Sequence, residues 1–187
     1  MRLLPVVLFA ASCSPPPMMM NDGGSSGCEG PAKSPPNLLA DPSFECGTAV
    51  WTVVTGDFAV VSGGRTGEKA GRLSATTAGS GQAGLGPVVA STSGKAYCLY
   101  AWVSGSASDM RMEVLPTMAG VASSFSSPVP ASGWLQAPMS SNLKVQVAAG
   151  DSLYLRFRIL NSQAGQTLDL DDLDLWESQS GNCDERH

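Results

Sequence analysis

The chain has 187 residues and a formal charge of −5, with only 14% charged residues against 21 Gly and 13 Pro. The acidic balance argues against a nucleic-acid partner and against electrostatic attraction to anionic lipid, and so many chain breakers argue against long helices. The one His, His187, leaves Ser–His hydrolysis and His-rich zinc chemistry almost nothing to use.

The length accommodates one domain plus extensions. Residues 1–12 carry one Arg, the apolar run Leu3–Ala11 and small residues, the pattern of a secretory signal peptide. The run falls short of the ~20 residues that a spanning helix needs. Ala10–Ala11–Ser12–Cys13 resembles the bacterial lipobox, with Ala where Leu is usual, and that resemblance implies acylation of Cys13. An ordinary secretory signal with an incidental Cys13 is the alternative. Residues 13–36 hold Pro15–Pro17, Met18–Met20, a Gly/Ser stretch and Pro35–Pro36 without hydrophobic period, and read as a flexible tether. Three adjacent Met without His are a poor basis for a copper site. Ser14 in place of Asp after Cys13 points to the outer membrane or cell surface, provided that the cell has two membranes.

Residues 37–178 alternate apolar and polar side chains with period two, the mark of half-buried strands. Tyr97, Leu99, Ala101 and Val103 alternate with Cys98, Tyr100 and Trp102. Met110, Met112 and Val114 alternate with Arg111 and Glu113, and Leu143, Val145 and Val147 with Lys144 and Gln146. Leu153, Leu155, Phe157 and Ile159 alternate with Tyr154, Arg156 and Arg158. Gly/Ser turn clusters separate these runs, so the expected class is all-β, an antiparallel β-sandwich. Residues 179–187 form a polar tail that is expected to fray apart from Cys183.

One irregularity stands out. Leu168 and Leu170 are apolar in one phase, Leu173 and Leu175 in the other, and the phase changes across Asp171–Asp172. A β-bulge supplies the extra residue and re-aims side chains, here carboxylates. Either calcium neutralises them or they form a solvated acidic turn.

Several stretches resemble carbohydrate-binding modules of the family-four and family-nine (CenC-like) kind. They are Asn37–Glu45 followed by Trp51, Thr66–Ala70, Gly94–Val103, Gly133–Trp134 and Leu170–Leu175, in that order. The resemblance implies a galactose-binding-like jelly roll whose first and last strands pair. It implies a structural calcium ion held by Glu45 and Asp171, with backbone carbonyls near Gly67 and Lys69, which agrees with calcium's need for hard oxygens. It also implies that Trp51 and Trp134 pack in the core. The outward residues Tyr100, Trp102, Arg156 and Arg158, with Arg111, Glu113 and Tyr154 beside them, are the candidates for a sugar site on a concave sheet face. Burial of the two rings on the second face of the sandwich is the competing reading.

Apart from Cys13, the cysteines are Cys28, Cys46, Cys98 and Cys183, an even number that suits disulfides in an oxidising compartment and allows three connectivities. Family geometry motivates Cys46–Cys98 and Cys28–Cys183. No Cys-x-x-Cys pair favours zinc.

The function expected from these residues is a membrane-anchored, non-catalytic module that holds polysaccharide or a cell-surface glycan. The alternative is a structural or adhesion lipoprotein whose sandwich binds a protein. A glycan-cleaving enzyme needs two carboxylates about 5 to 9.5 Å apart across a cleft. Glu113 is available, but Asp171 and Asp172 are committed to the bulge.

Overall fold

The computed structural model describes residues 33–47, 51–90, 95–115, 123–138, 143–146 and 152–183. The expected signal peptide, the lipidation site Cys13 and most of the tether, including Cys28, lie outside them.

Eleven strands are described: β1 Trp51–Thr55, β2 Asp57–Ser62, β3 Lys69–Ser74, β4 Gln82–Ala90, β5 Ala96–Gly105, β6 Asp109–Leu115, β7 Ser123–Pro128, β8 Leu135–Ala137, β9 Leu143–Gln146, β10 Ser152–Leu160 and β11 Thr167–Ser178. They form two antiparallel sheets. One has five strands in the order β1-β4-β10-β6-β7; the other runs β2-β3-β11-β5-β8, with β9 also paired to β5. This is the all-β sandwich that the alternation dictates.

The core lies between the sheets. Leu99, Ala101 and Val103 of β5 and Leu168, Leu170, Leu173 and Leu175 of β11 point inward from one side. Met110, Met112 and Val114 of β6 and Leu153, Leu155 and Phe157 of β10 meet them from the other. Each of these side chains larger than Ala contributes roughly 1.5–3 kcal/mol on full burial. One part of the core is aromatic: Trp51 stacks on Phe58 with centroids 5.2 Å apart, and Phe44 and Phe157 lie 5.6 and 5.9 Å from it. Trp51 is thus a packing residue, as expected. Gly71 keeps β3 bare beneath these rings, because a Cβ there would stand 2.6 Å from Phe44 and 2.7 Å from Phe58.

The bulge sits where the phase change places it. β11 pairs with β5 through Leu168–Asp171, and the register shifts before pairing resumes at Asp174. Asp172 takes a left-handed φ of 45°. Leu170 and Leu173 both stay buried across the irregularity.

The stretch 37–45 is not a strand, although it does lie along the last one. Leu38 N–H donates to the Leu175 carbonyl (2.7 Å), and Leu173 N–H donates to the Pro42 carbonyl (3.0 Å). Asn37 Oδ1 accepts from Leu175 N–H (3.1 Å), while Asn37 Nδ2 donates to the Leu173 carbonyl (2.9 Å). Pro42, without an N–H, and the positive φ of Asp41 (49°) and Phe44 (61°) interrupt the ladder that a strand would need.

The expected disulfide pairing is corrected. Cys98 is bonded to Cys183, with Cα atoms 5.7 Å apart. Neither Cys46–Cys98 nor Cys28–Cys183 therefore forms. Cys46 is itself disulfide-bonded, not to Cys98. Position along β5 explains the difference. Glu45 approaches the loop beside Trp102, whereas Cys98 lies four residues away, roughly 13 Å along the strand. There Cys98 faces Trp176 of β11, and the chain leaving β11 turns back to bring Cys183 over it. The described part of the tail, residues 179–183, is held against the sheet by this bond.

Candidate functional site

The four candidate ligand-binding residues do not share a face. Tyr100 and Trp102 belong to β5 of the six-stranded sheet, Arg156 and Arg158 to β10 of the five-stranded sheet. In both strands the inward positions are buried and these positions are half-buried on the outer side. The sheets stand back to back about 10 Å apart, so the aromatic pair and the arginine pair look in opposite directions. Alternation reveals which side chains point outward, but not to which sheet a strand belongs.

The outer face of the six-stranded sheet is closed by other parts of the chain. The Arg65 guanidinium lies over Trp102, 3.6 Å from the ring centroid, and pairs with Asp172 at 2.6 Å. Lys33 Nζ donates to Tyr100 Oη (3.2 Å) and to Asp174 Oδ2 (2.6 Å), and stands 5.5 Å from the Tyr100 centroid. Burial and the neighbouring Asp174 charge raise the Tyr100 pKa. Burial opposes the charge on Lys33, but the hydrogen bond and charge of Asp174 prevail and raise its pKa. Beyond Tyr100, Trp176 is fully buried in a small outer cluster with Cys98 and Cys183. Neither Lys33 nor Arg65 carried a signal in the sequence, being single charges in Gly-, Ser- and Pro-rich stretches.

Of the four residues expected to hold calcium, Glu45 and Asp171 each approach the loop that leads into β3, at different N–H groups. Glu45 Oε1 accepts the N–H groups of Glu68 (3.0 Å) and Lys69 (2.9 Å), and Lys69 Nζ donates to the Glu45 carbonyl (2.6 Å). Asp171 Oδ2 accepts those of Arg65 (2.6 Å) and Thr66 (3.1 Å). Gly67, at φ +65°, permits this closeness, since a Cβ there would fall 2.4 Å from Glu45 Oε1. Asp171 is fully buried, and that burial pushes its pKa up to about 6 despite the backbone N–H groups around it. Burial likewise raises the pKa of Asp41, whose Oδ1 is buried with no hydrogen-bond partner among the described residues. Hard carboxylate oxygens, one of them orphaned, suit calcium. Backbone N–H groups already compete for Glu45 and Asp171, and among the described residues no three acidic, His or Cys side chains form a metal-sized cluster.

The outer face of the five-stranded sheet carries the arginines. Arg156 lies opposite Glu113, and Arg158 opposite Arg111, across the β10–β6 ladder. Glu113 is buried although it points outward, because guanidinium groups cover it. Arg156 Nε donates to its Oε2, and Arg158 and Arg111 stand 3.7 and 4.0 Å from its Oε1. Arg111 Nε also donates to Ser126 Oγ (3.2 Å) on β7. Tyr154 continues the same face two residues before Arg156, opposite Leu115. Glu113, which the sequence offers as one outward residue among several and as an available carboxylate, is the centre of this constellation.

No family model matches the chain, and no curated protein matches it in sequence. Solved structures do resemble it. TmCBM61, solved in complex with β-1,4-galactotriose, is 18% identical with a TM-score of 0.55 over 76% of this chain and 99% of its own. The CBM22-1 xylan-binding domain of Xyn10C from Paenibacillus barcinonensis is 19% identical with a TM-score of 0.58, over 75% and 94%. A cyclase from Fischerella sp. TAU is 16% identical with a TM-score of 0.52, over 68% and 77%. The chain thus has the jelly-roll fold of carbohydrate-binding modules, a fold that an enzyme also uses.

Proposed function

We propose that this protein is a non-catalytic carbohydrate-binding module, exported and anchored to the cell envelope through lipid on Cys13. The observation that carries the glycan reading is the contrast between the two outer faces. One has its rings covered by Lys33, Arg65 and the tail. The other sets Tyr154 beside donor-rich side chains on rigid strands, which is the combination of ring and directed polar groups that sugars require. The fold shared with TmCBM61 and the xylan-binding domain supports the same reading, while fold likeness alone does not assign activity.

The calcium ion belongs to this proposal as a structural element. Glu45, Asp171 and carbonyls near Gly67 and Lys69 would hold it, and its charge would offset the buried carboxylate of Asp171. It would tie the N-terminal segment, the loop and β11 together.

Retention of the full-length protein on insoluble polysaccharides tests the reading. Retention by at least one polysaccharide, reduced in Tyr154→Ala, is the expected result. Absence of retention across a broad panel, with calcium present, would leave the structural or adhesion role as the better reading.

A further inference from the structure

Away from Glu113, the ion pairs among the described residues join one cation to one carboxylate. Lys33 pairs with Asp174, Arg65 with Asp172, Arg72 with Asp169 and Lys95 with Glu177. The outer face of the five-stranded sheet breaks this pattern, because Arg111, Arg156 and Arg158 share the single carboxylate Glu113. Asp109, the other acidic residue on that face of β6, lies opposite Leu160 at the strand end and forms no ion pair with a described residue. Three guanidinium groups thus face two carboxylates, in a chain whose net charge is −5.

The three arginines are not equivalent. Arg156 is the least exposed, at 22%, and binds Glu113 directly. Arg158 and Arg111 are each 40% exposed and approach Glu113 only to 3.7 and 4.0 Å, beyond hydrogen-bond distance. Each guanidinium carries five N–H donors in a planar fork that matches a carboxylate or sulfate group. Glu113 draws the three head groups together, so that the two outer forks remain charged, exposed and close to each other. Neutral hydroxyl groups need no such concentration of cations.

Resting on the glycan-binding reading above, we infer that this face takes an acidic polysaccharide, one whose sugars bear carboxylate or sulfate groups. Arg158 and Arg111 bind the acidic groups, Arg156 and Glu113 fix the forks, and Tyr154 receives the sugar ring.

Affinity electrophoresis of the full-length protein tests this, with polygalacturonate and alginate as acidic probes and β-1,4-galactan and xylan as neutral ones. Arg158→Gln is compared with Lys144→Gln, which removes the same charge from β9 of the other sheet. Acidic glycans should retard the wild type more than neutral ones. Arg158→Gln should weaken that retardation about tenfold, the loss of a charge-assisted hydrogen bond, with an unchanged melting temperature. Lys144→Gln should shift it less than about twofold, as one distant, screened charge. An equal loss in both variants, with retardation abolished at about 0.3 M salt, would mean diffuse charge attraction and overturn the inference. Retardation by neutral glycans alone, indifferent to Arg158→Gln, would overturn it and leave the glycan reading intact. Retardation by no glycan of either kind would overturn both.

Discussion

Lys33 reaches across the N-terminal segment to Asp174, 2.6 Å away on β11, and that carboxylate is fully buried. The contact places Lys33 inside the folded unit, four residues before the boundary at Asn37 that the sequence pattern suggested. A buried carboxylate that loses a charged hydrogen-bond donor is destabilised by roughly 1.5–3 kcal/mol. Lys33→Ala is therefore expected to lower the unfolding free energy by about 2 kcal/mol, read as a lower urea midpoint at unchanged m-value. A midpoint equal to that of the wild type would show that the segment contributes nothing before Asn37.

The Cys98–Cys183 bridge closes a loop with a sequence separation of 85. Loop-entropy arguments assign roughly 4–5 kcal/mol to a bridge of this length, and measured values are often smaller. Trp176 lies beneath it, fully buried with Cys98 and Cys183. Cys183→Ser should lower the melting temperature and shift Trp176 fluorescence to the red as water reaches the indole. Peptide mapping of the unreduced protein should recover Cys98 joined to Cys183; a Cys46–Cys98 peptide would contradict the fold of the tail.

The fold was legible because it depends on local pattern. Alternation in β5, β6 and β10 marks which side chains go inward, and the phase change at Asp171–Asp172 located the bulge to the residue. The approach of Glu45 and Asp171 to the loop before β3 is implied only by family resemblance, since no local pattern carries it. A shared face for the four ligand-binding candidates and the disulfide pairing failed, because both depend on which strand lies beside which. Tyr100 and Arg156 have the same outward phase, but period two carries no information on sheet membership. The same gap misassigned Cys98, whose partner depends on how the chain reverses after Ser178, a turn that brings the Asn182 carbonyl to Cys98 Sγ (3.9 Å).

Asp171 gives the folded state a definite pH dependence in calcium-free buffer. Its folded pKa is about 6, against 3.8 for the free side chain, chiefly because it is buried. Below the lower value both states hold the proton. As pH rises between the two, the unfolded chain releases it first, so folding stability falls, and the full penalty is present above about 6. The shift caps that penalty at about 3 kcal/mol. Asp171→Asn keeps a carbonyl oxygen for Arg65 and Thr66 but cannot ionise. It should flatten the loss of stability between pH 4 and 6, and a stability difference between variant and wild type that stays constant over this range would refute the assignment.

Calcium, if held by the same loop, binds the folded state alone and stabilises it by RT ln(1 + [Ca]/Kd), about 2.7 kcal/mol at a hundredfold excess over Kd. Millimolar calcium should raise the melting temperature of the wild type by several degrees over protein in chelator. Glu45→Gln should abolish the increment, because it loses a charged ligand while keeping an acceptor for the N–H groups of Glu68 and Lys69. Identical melting curves for the wild type in calcium and in chelator would remove the ion from the proposal and leave the fold untouched.

Trp102 is the residue on which the choice of face turns. A sugar stacking on its covered side would have to displace Arg65, which lies 3.6 Å from the ring centroid and pairs with Asp172. Displacement would break a cation–π contact worth about 0.5–1 kcal/mol, together with an ion pair, before any sugar contact formed. Trp102→Ala is accordingly expected to lower stability by about 1–2 kcal/mol through lost ring burial and the lost Arg65 contact, and to leave glycan retention at the wild-type level. Tyr154→Ala should do the opposite, weakening retention by up to about tenfold with little change in melting temperature, as the loss of one stacking ring implies. If retention instead disappears with Trp102 and survives without Tyr154, Arg65 must yield to the ligand. The binding face would then be that of the six-stranded sheet.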